Sequence, residues 1–408
     1  MRSLELGDLT TVSLLDRILP NETIQRKSDR QGVYADVATV MRRLSDCDPP
    51  VLCFCPDIAR ETYRCFARTF PGLTTFAVKS APHPDLIEML AEAGMVAFDV
   101  ASPAEMTLVR TAAPEAALNY NNPIKSDSEL ACAVDQFGVQ HTTIDDLVGL
   151  KQVKRLIKQR EGFVVAVRVA PQDNDALHDF RSKFGCDAAA AVNLLKAVSA
   201  AGFAPGISFH PGSQCTSAGA YTRMIELCQE IVSDAGVQIA TLNVGGGFPA
   251  PYLGSGASAL PQFLSEIRNA LLQHFPRRVQ FICEPGRAIA APSFTLLTRV
   301  KHHRSNGDLY INDGLYGGLM ELSQIPIRLP VRAWRDGRVL KGPRVPHRVF
   351  GPTCDPLDVL PERIELARDV KVGDWIEFQL AGAYCTATST RFNGFGNHTI
   401  VEVDALYY

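Results

Sequence analysis

Between about residue 57 and Arg287, short apolar runs alternate with stretches of helical spacing, eight times over. The runs are Thr74–Lys79, Val96–Ser102, Ala117–Tyr120, His141–Ile144, Val164–Val169, Gly206–His210, Ile239–Val244 and Val279–Cys283. Among the stretches between them are Pro84–Gly94, Leu147–Gln159, Ala188–Ala201, Ala220–Ala235 and Pro261–His274, where apolar residues recur every three or four positions. Parallel strands need a crossover long enough to hold a helix, so strand and helix taken in strict turn predict an α/β chain with a parallel sheet. Eight units predict a (β/α)8 barrel of the TIM type, and a doubly wound open sheet is the alternative.

The texture changes after Arg287. The remaining 121 residues (408 less 287) hold the β-rich runs Ser293–Val300, Asp308–Ile311, Trp375–Gln379 and Thr399–Val403, punctuated by Gly and Pro. They predict an antiparallel β domain, sandwich-like or barrel-like. The expected division is an N-terminal segment, 1–45, that joins the β domain, a cofactor-binding barrel over 46–287, and the β domain over 288–408. A chain of 408 residues exceeds what one hydrophobic core serves, which fits two domains.

With 46% hydrophobic residues, 21% charged residues and a net charge of -3, nothing points to nucleic acid. The apolar stretch Phe163–Ala170 is broken by Arg168 and too short to span a bilayer. Met1–Thr11 carries Arg2, Glu5 and Asp8 and lacks an apolar export core. Eleven cysteines, none in a CxxC pair, call for no metal and lead us to expect a reducing cytoplasm.

Barrel enzymes work at the carboxyl ends of their strands. Those ends here carry Lys79, Asp99, Arg168, His210, the triplet Gly245-Gly246-Gly247, and Glu284 with Arg287. Lys79 closes an apolar run, so it is expected to be buried, with an amine pKa lowered enough to form a Schiff base. Glycine clusters are commonly plain loops, yet this one would let the backbone close on an anion. Arg287 offers a planar fork for a phosphate, and Ser213 adds a hydroxyl. A carboxylate such as Glu284 beside a pyridine nitrogen keeps it protonated. An amine for an aldehyde, donors for a phosphate and an acid for a pyridinium together describe a site for pyridoxal 5'-phosphate.

The residues also match a family. FAVKSAPHPDLIEMLAEAG, FDVASPAEM, RSKFGC, ISFHPGSQ, NVGGGFP, CEPGR, NDGLYGG, GPTCDPLD and GAY follow one another from about residue 50 to 395. In this order the chain resembles the barrel-fold (fold type III) pyridoxal-phosphate decarboxylases of basic amino acids, the group of ornithine, lysine and diaminopimelate decarboxylases. The resemblance implies that Lys79 is the Schiff-base lysine and that His210 stacks on the cofactor ring. It implies a phosphate set of Ser213, Gly246, Gly247, Gly286, Arg287 and Tyr384, with Glu284 on the pyridinium and Asp99 and Arg168 in support. It implies a homodimer with shared sites, in which Cys354 reaches in from the partner as proton donor. Asp355 and Tyr316 would meet the substrate. The Tyr-Asp pair that follows the YGS of eukaryotic-type ornithine enzymes is absent after Tyr316-Gly317-Gly318, and Glu321 is the acid available to take its part. The implied reaction is decarboxylation of a basic L-amino acid in polyamine biosynthesis, ornithine to putrescine first and lysine to cadaverine second. Diaminopimelate or another diamino acid, a racemase of the same fold, and a regulator without activity are the alternatives.

Overall fold

The computed structural model describes residues 33–158, 161–171, 176–178 and 182–406. Expectations for Met1–Thr11 and for Arg181, the first residue of RSKFGC, fall outside these.

All eight predicted strands are present. Their order runs from Leu73–Thr74 through Gln280–Cys283, Thr241–Asn243, Ala204–Phe209, Val164–Val169, His141–Ile144, Ala117–Tyr120 and Ala97–Val100 to Phe76–Ala77. Every neighbouring pair is parallel. The two ends of this series are halves of a single strand, split at Thr75. On one side the Thr75 N–H donates to the Cys283 carbonyl (2.9 Å) and the Ala77 N–H to that of Pro285 (3.1 Å). On the other, Phe76 is in register with Phe98. The ring therefore closes, and the barrel, not the open sheet, is the fold.

Local chemistry explains where each helix begins. The side chains of Ser102, Ser126, Asp146 and Asp187 each accept from the N–H three residues on, and Pro84 and Pro103 open their helices without losing a needed donor. Outside the barrel, Tyr221 stacks on Phe248 (5.2 Å between ring centres) and meets Phe263 edge-on, while Phe66 meets Phe248 edge-on, tying three helices to the glycine-rich loop.

Lys79 departs from expectation. The strand stops at Ala77, and Lys79 stands in the 3-10 turn Val78–Ser80 with its side chain 45% exposed rather than buried. The turn lifts the amine off the sheet and into the barrel mouth.

The second sheet is centred on Phe294–His303, antiparallel to Val51–Phe54, Trp375–Phe378 and Leu309–Ile311. It is mixed, not purely antiparallel: Thr399–Ala405 runs parallel to both Val33–Asp36 and Val51–Phe54. The N-terminal contribution to this sheet thus reaches Phe54, beyond the boundary expected at residue 45. Among the described residues, no helix is long and apolar enough to cross a membrane.

Candidate active site

Five predicted residues come together from five strand ends. Lys79, Asp99, Arg168, His210 and Glu284 line one cavity of about 160 Å3, with Asn121, Thr143, Phe184, Ser208 and Asn243. Lys79 Nζ lies 3.8 Å from Asp99 Oδ2. The protein packed around it pulls the amine's pKa down. The charge of Asp99, with Tyr384 and Glu284 behind it, more than reverses this, so the net shift is upward and not downward as the sequence suggested. Asp99 is itself buried, and loss of water raises its pKa against the pull of Lys79 and a hydrogen bond from Asn121.

Glu284 is 6% exposed. The amides of Asn121 (2.5 Å) and Asn243 both donate to its Oε1, which leaves Oε2 as the oxygen available to a ring nitrogen. Desolvation, then the charge of Asp99, push its pKa up to about 7, against the pull of Lys79, Asn243 and Arg168. Nothing in the sequence singled out these two amides. The only signal was a polar residue one place beyond the strand Ala117–Tyr120 and another closing the strand Thr241–Asn243.

His210 Nδ1 accepts from the Gly212 N–H (3.1 Å). Burial, then the cations Arg168 and Lys79, hold its pKa well below the ordinary value, so the ring is neutral. A Cβ at Gly246 would lie 3.1 Å from His210 Nε2 and 2.7 Å from the Glu284 carbonyl. At Gly247 the backbone is left-handed (φ +92°), and a Cβ would meet the Gly212 carbonyl at 2.2 Å. Only glycine permits this cradle.

Beyond it, the guanidinium of Arg287 donates to Ser213 Oγ (3.0 and 3.2 Å) and lies 5.0 Å from the ring centre of Tyr384. The Tyr384 N–H donates to the Ser80 carbonyl (2.6 Å), and a Cβ at Gly286 would strike Ser80 Oγ (2.8 Å), so the Lys79 turn, Gly286 and Tyr384 are packed together. Gln214 and Tyr384 both hold positive φ (56° and 59°) without being glycine, strain of the kind found at ligand clamps. An amine, a clamped acid, a neutral ring, a glycine cradle and an arginine, in that spatial sequence, fit an aldehyde-bearing pyridine with a phosphate arm.

The remaining predicted residues form a second group. Tyr316 donates its hydroxyl to Asp355 Oδ2 (2.5 Å), which holds the Asp355 carboxyl below its usual range, and the Tyr316 ring leans on Phe392 (5.0 Å). Cys354 is exposed, its N–H donating to Asn393 Oδ1 (2.9 Å). None of these residues lines the Lys79 cavity of the same chain. The loop is shaped by buried Asp358, whose carboxylate accepts from Leu315 N (2.8 Å) and from the N–H (3.1 Å) and hydroxyl (2.8 Å) of Thr353. Glu321, expected beside the substrate's distal charge, has a different partner: it forms a two-pronged ion pair with Arg287 at the phosphate end.

Residues 57–291 match the family model described as the pyridoxal-dependent decarboxylase, pyridoxal binding domain. The chain is 31% identical over 369 residues to the lysine/ornithine decarboxylase of Selenomonas ruminantium, covering 88% of this chain and 90% of that one. It is 33% identical to antizyme inhibitor 2 of Xenopus laevis, over 83% of this chain and 77% of that protein. The solved lysine/ornithine decarboxylase of Vibrio vulnificus, complexed with cadaverine, superposes with a TM-score of 0.79 at 29% identity, covering 90% of this chain and 98% of that chain. With its barrel, its cavity and these relatives in agreement, the chain belongs to the pyridoxal-dependent decarboxylases.

Proposed function

We propose that this chain removes the α-carboxylate of a basic L-amino acid, with ornithine the preferred substrate and lysine second. The observation that carries the reading is the convergence of Lys79, Asp99, His210 and Glu284 on one cavity, with the glycine cradle and Arg287 beyond it. Bound there, pyridoxal phosphate supplies an electron sink for the bond that breaks at the α-carbon.

The protein's part is to orient, to hold protons and to exclude water. Lys79 must lose a proton before its amine can bond an aldehyde, and Asp99 Oδ2, 3.8 Å away, is the base beside it. Glu284, its Oε1 held by two amides, has Oε2 free and would keep a proton on the ring nitrogen of a bound cofactor. Neutral His210 gives the ring a flat face without adding charge. Ser213, Gly246, Gly247, Gly286, Arg287 and Tyr384 would hold the phosphate, with Arg168 supporting Glu284 electrostatically. Cys354 would return a proton to the α-carbon, and Asp355, already oriented by Tyr316, would take the substrate's distal ammonium.

Because Cys354 and Asp355 stand on an exposed loop outside the Lys79 cavity, they would serve the partner's site in a homodimer. The cytoplasm remains the expected location, and the division we propose is a barrel followed by a β domain, with the boundary between them near Arg287.

The test is a panel of ornithine, lysine, diaminopimelate and arginine scored for carbon dioxide and amine product. Ornithine should lead. Asp355→Asn should lower kcat/KM for it by roughly tenfold to a hundredfold, the worth of a hydrogen bond to a charged group. A lead for diaminopimelate would overturn the substrate order, and a colourless, inactive protein would favour a regulator in the manner of the antizyme inhibitor relative.

A further inference from the structure

Arg287 opens the helix Arg287–Ser293 at the floor of the barrel mouth, and its side chain is 3% exposed. Its three nitrogens are all engaged. Nε and Nη2 reach Ser213 Oγ, Nη1 reaches the Tyr252 hydroxyl (3.0 Å) and Glu321 Oε2 (2.7 Å), and Nη2 also reaches Glu321 Oε1. The rings of Tyr384 and Tyr252 flank the guanidinium at 5.0 and 5.8 Å. The arginine is therefore held by Ser213 and Tyr252 of the barrel and by the Tyr384 ring of the second domain. Glu321 comes from Met320–Ser323, a four-residue 3-10 turn of the second domain with no buried residue.

This pairing bears on the phosphate assignment made above, on which the following inference rests. A carboxylate and a phosphate ask for the same pair of parallel N–H donors. Two anions within hydrogen-bonding distance of one guanidinium also repel each other. A buried arginine left without any counter-ion is strongly unfavourable, so something must fill its fork when no phosphate does.

We propose that Glu321 competes with the cofactor's phosphate for the fork of Arg287 and is displaced when the phosphate arrives. Arg287 stays in place, held by two rings and Ser213, while the carboxylate on the short turn moves. Loading then exchanges one buried ion pair for another, and Glu321 limits how tightly the phosphorylated cofactor is retained. The acid that the sequence offered to the substrate acts instead on the cofactor.

The experiment starts from full-length holoenzyme and compares wild type, Glu321→Gln and Arg287→Met. Cofactor release on dilution is followed by absorbance, and reloading is measured with pyridoxal phosphate and with pyridoxal, which has the same ring and aldehyde but no phosphate. Glu321→Gln should retain pyridoxal phosphate about tenfold more tightly, by the worth of the competing charged contact, and leave pyridoxal within about twofold. Glu321→Ala should behave alike if the amide variant folds poorly. In an Arg287→Met background, Glu321→Gln should have no further effect. Weaker or unchanged retention of pyridoxal phosphate in Glu321→Gln would overturn the proposal while leaving the phosphate site intact. If Arg287→Met keeps the full preference for pyridoxal phosphate over pyridoxal, the phosphate assignment has failed and the proposal falls with it.

Discussion

Glu284 shows most plainly how this site is held at the scale of single residues. An acid 6% exposed and raised to about 7 makes its charge unwelcome unless a ligand meets it. The sign of the consequence is fixed. Below about pH 4.5 both folded and unfolded chains keep the proton, and nothing is lost. Between about 4.5 and about 7 only the unfolded chain ionises, and above about 7 the folded state carries the full destabilisation, on the order of 3 kcal/mol. Glu284→Gln should therefore raise the melting temperature of cofactor-free protein at pH 8, and the gain should vanish near pH 4.5. Melting curves across that range check it, and a gain that is constant with pH would mean that the carboxyl is not desolvated. The clamp on this acid could not be foreseen from sequence. Asn121 and Asn243 are 122 positions apart, and only barrel closure brings both amides to one oxygen.

At the scale of elements, the alternation of runs and helices marked every barrel strand, because packing on both faces imposes a continuous apolar pattern. Its ends were less visible. Lys79 continues the apolar run without a break, yet the chain leaves the ladder at Ala77, since a 3-10 turn of Val, Lys and Ser has no distinctive composition. The mixed direction of the second sheet depends on Thr399–Ala405 pairing with Val51–Phe54, more than 340 residues away, which no local periodicity records. The pairing of Glu321 with Arg287 went unread for the same reason, its partner lying 34 positions back in the barrel. The glycine cluster, by contrast, was visible in the sequence as a loop able to close on an anion, and its geometry is exacting. Gly247→Ala would need to adopt φ +92° with a methyl 2.2 Å from the Gly212 carbonyl. It should weaken cofactor binding by at least about tenfold with little change in far-UV circular dichroism, since a strained left-handed residue costs about 1–3 kcal/mol. Wild-type affinity in a cofactor titration would show that the loop does not seat the phosphate.

At the scale of the whole molecule, Cys354 stands on an exposed loop, with Leu357 at 71% and Phe392 at 44% exposure. If it completes a second copy's site, Lys79→Ala and Cys354→Ala proteins should each be nearly inactive. Mixed after subunit exchange, they should recover about a quarter of the wild-type rate, because half the dimers would be hybrids with one intact site each. Mixtures no more active than their parents would return Cys354 to its own chain's site or remove it from the reaction.

Lys79 is the residue we propose to hold the cofactor. Lys125 is a second amine, buried and bonded to the carbonyls of Asn122 and Thr143 (2.7 Å each), which line the same cavity, and burial pulls its pKa down to about 7. Borohydride reduction of the holoenzyme followed by peptide mass mapping separates the two. The label should fall on the peptide containing Lys79 and be lost in Lys79→Ala. A label on Lys125, or on no lysine at all, would take the cofactor away from Lys79.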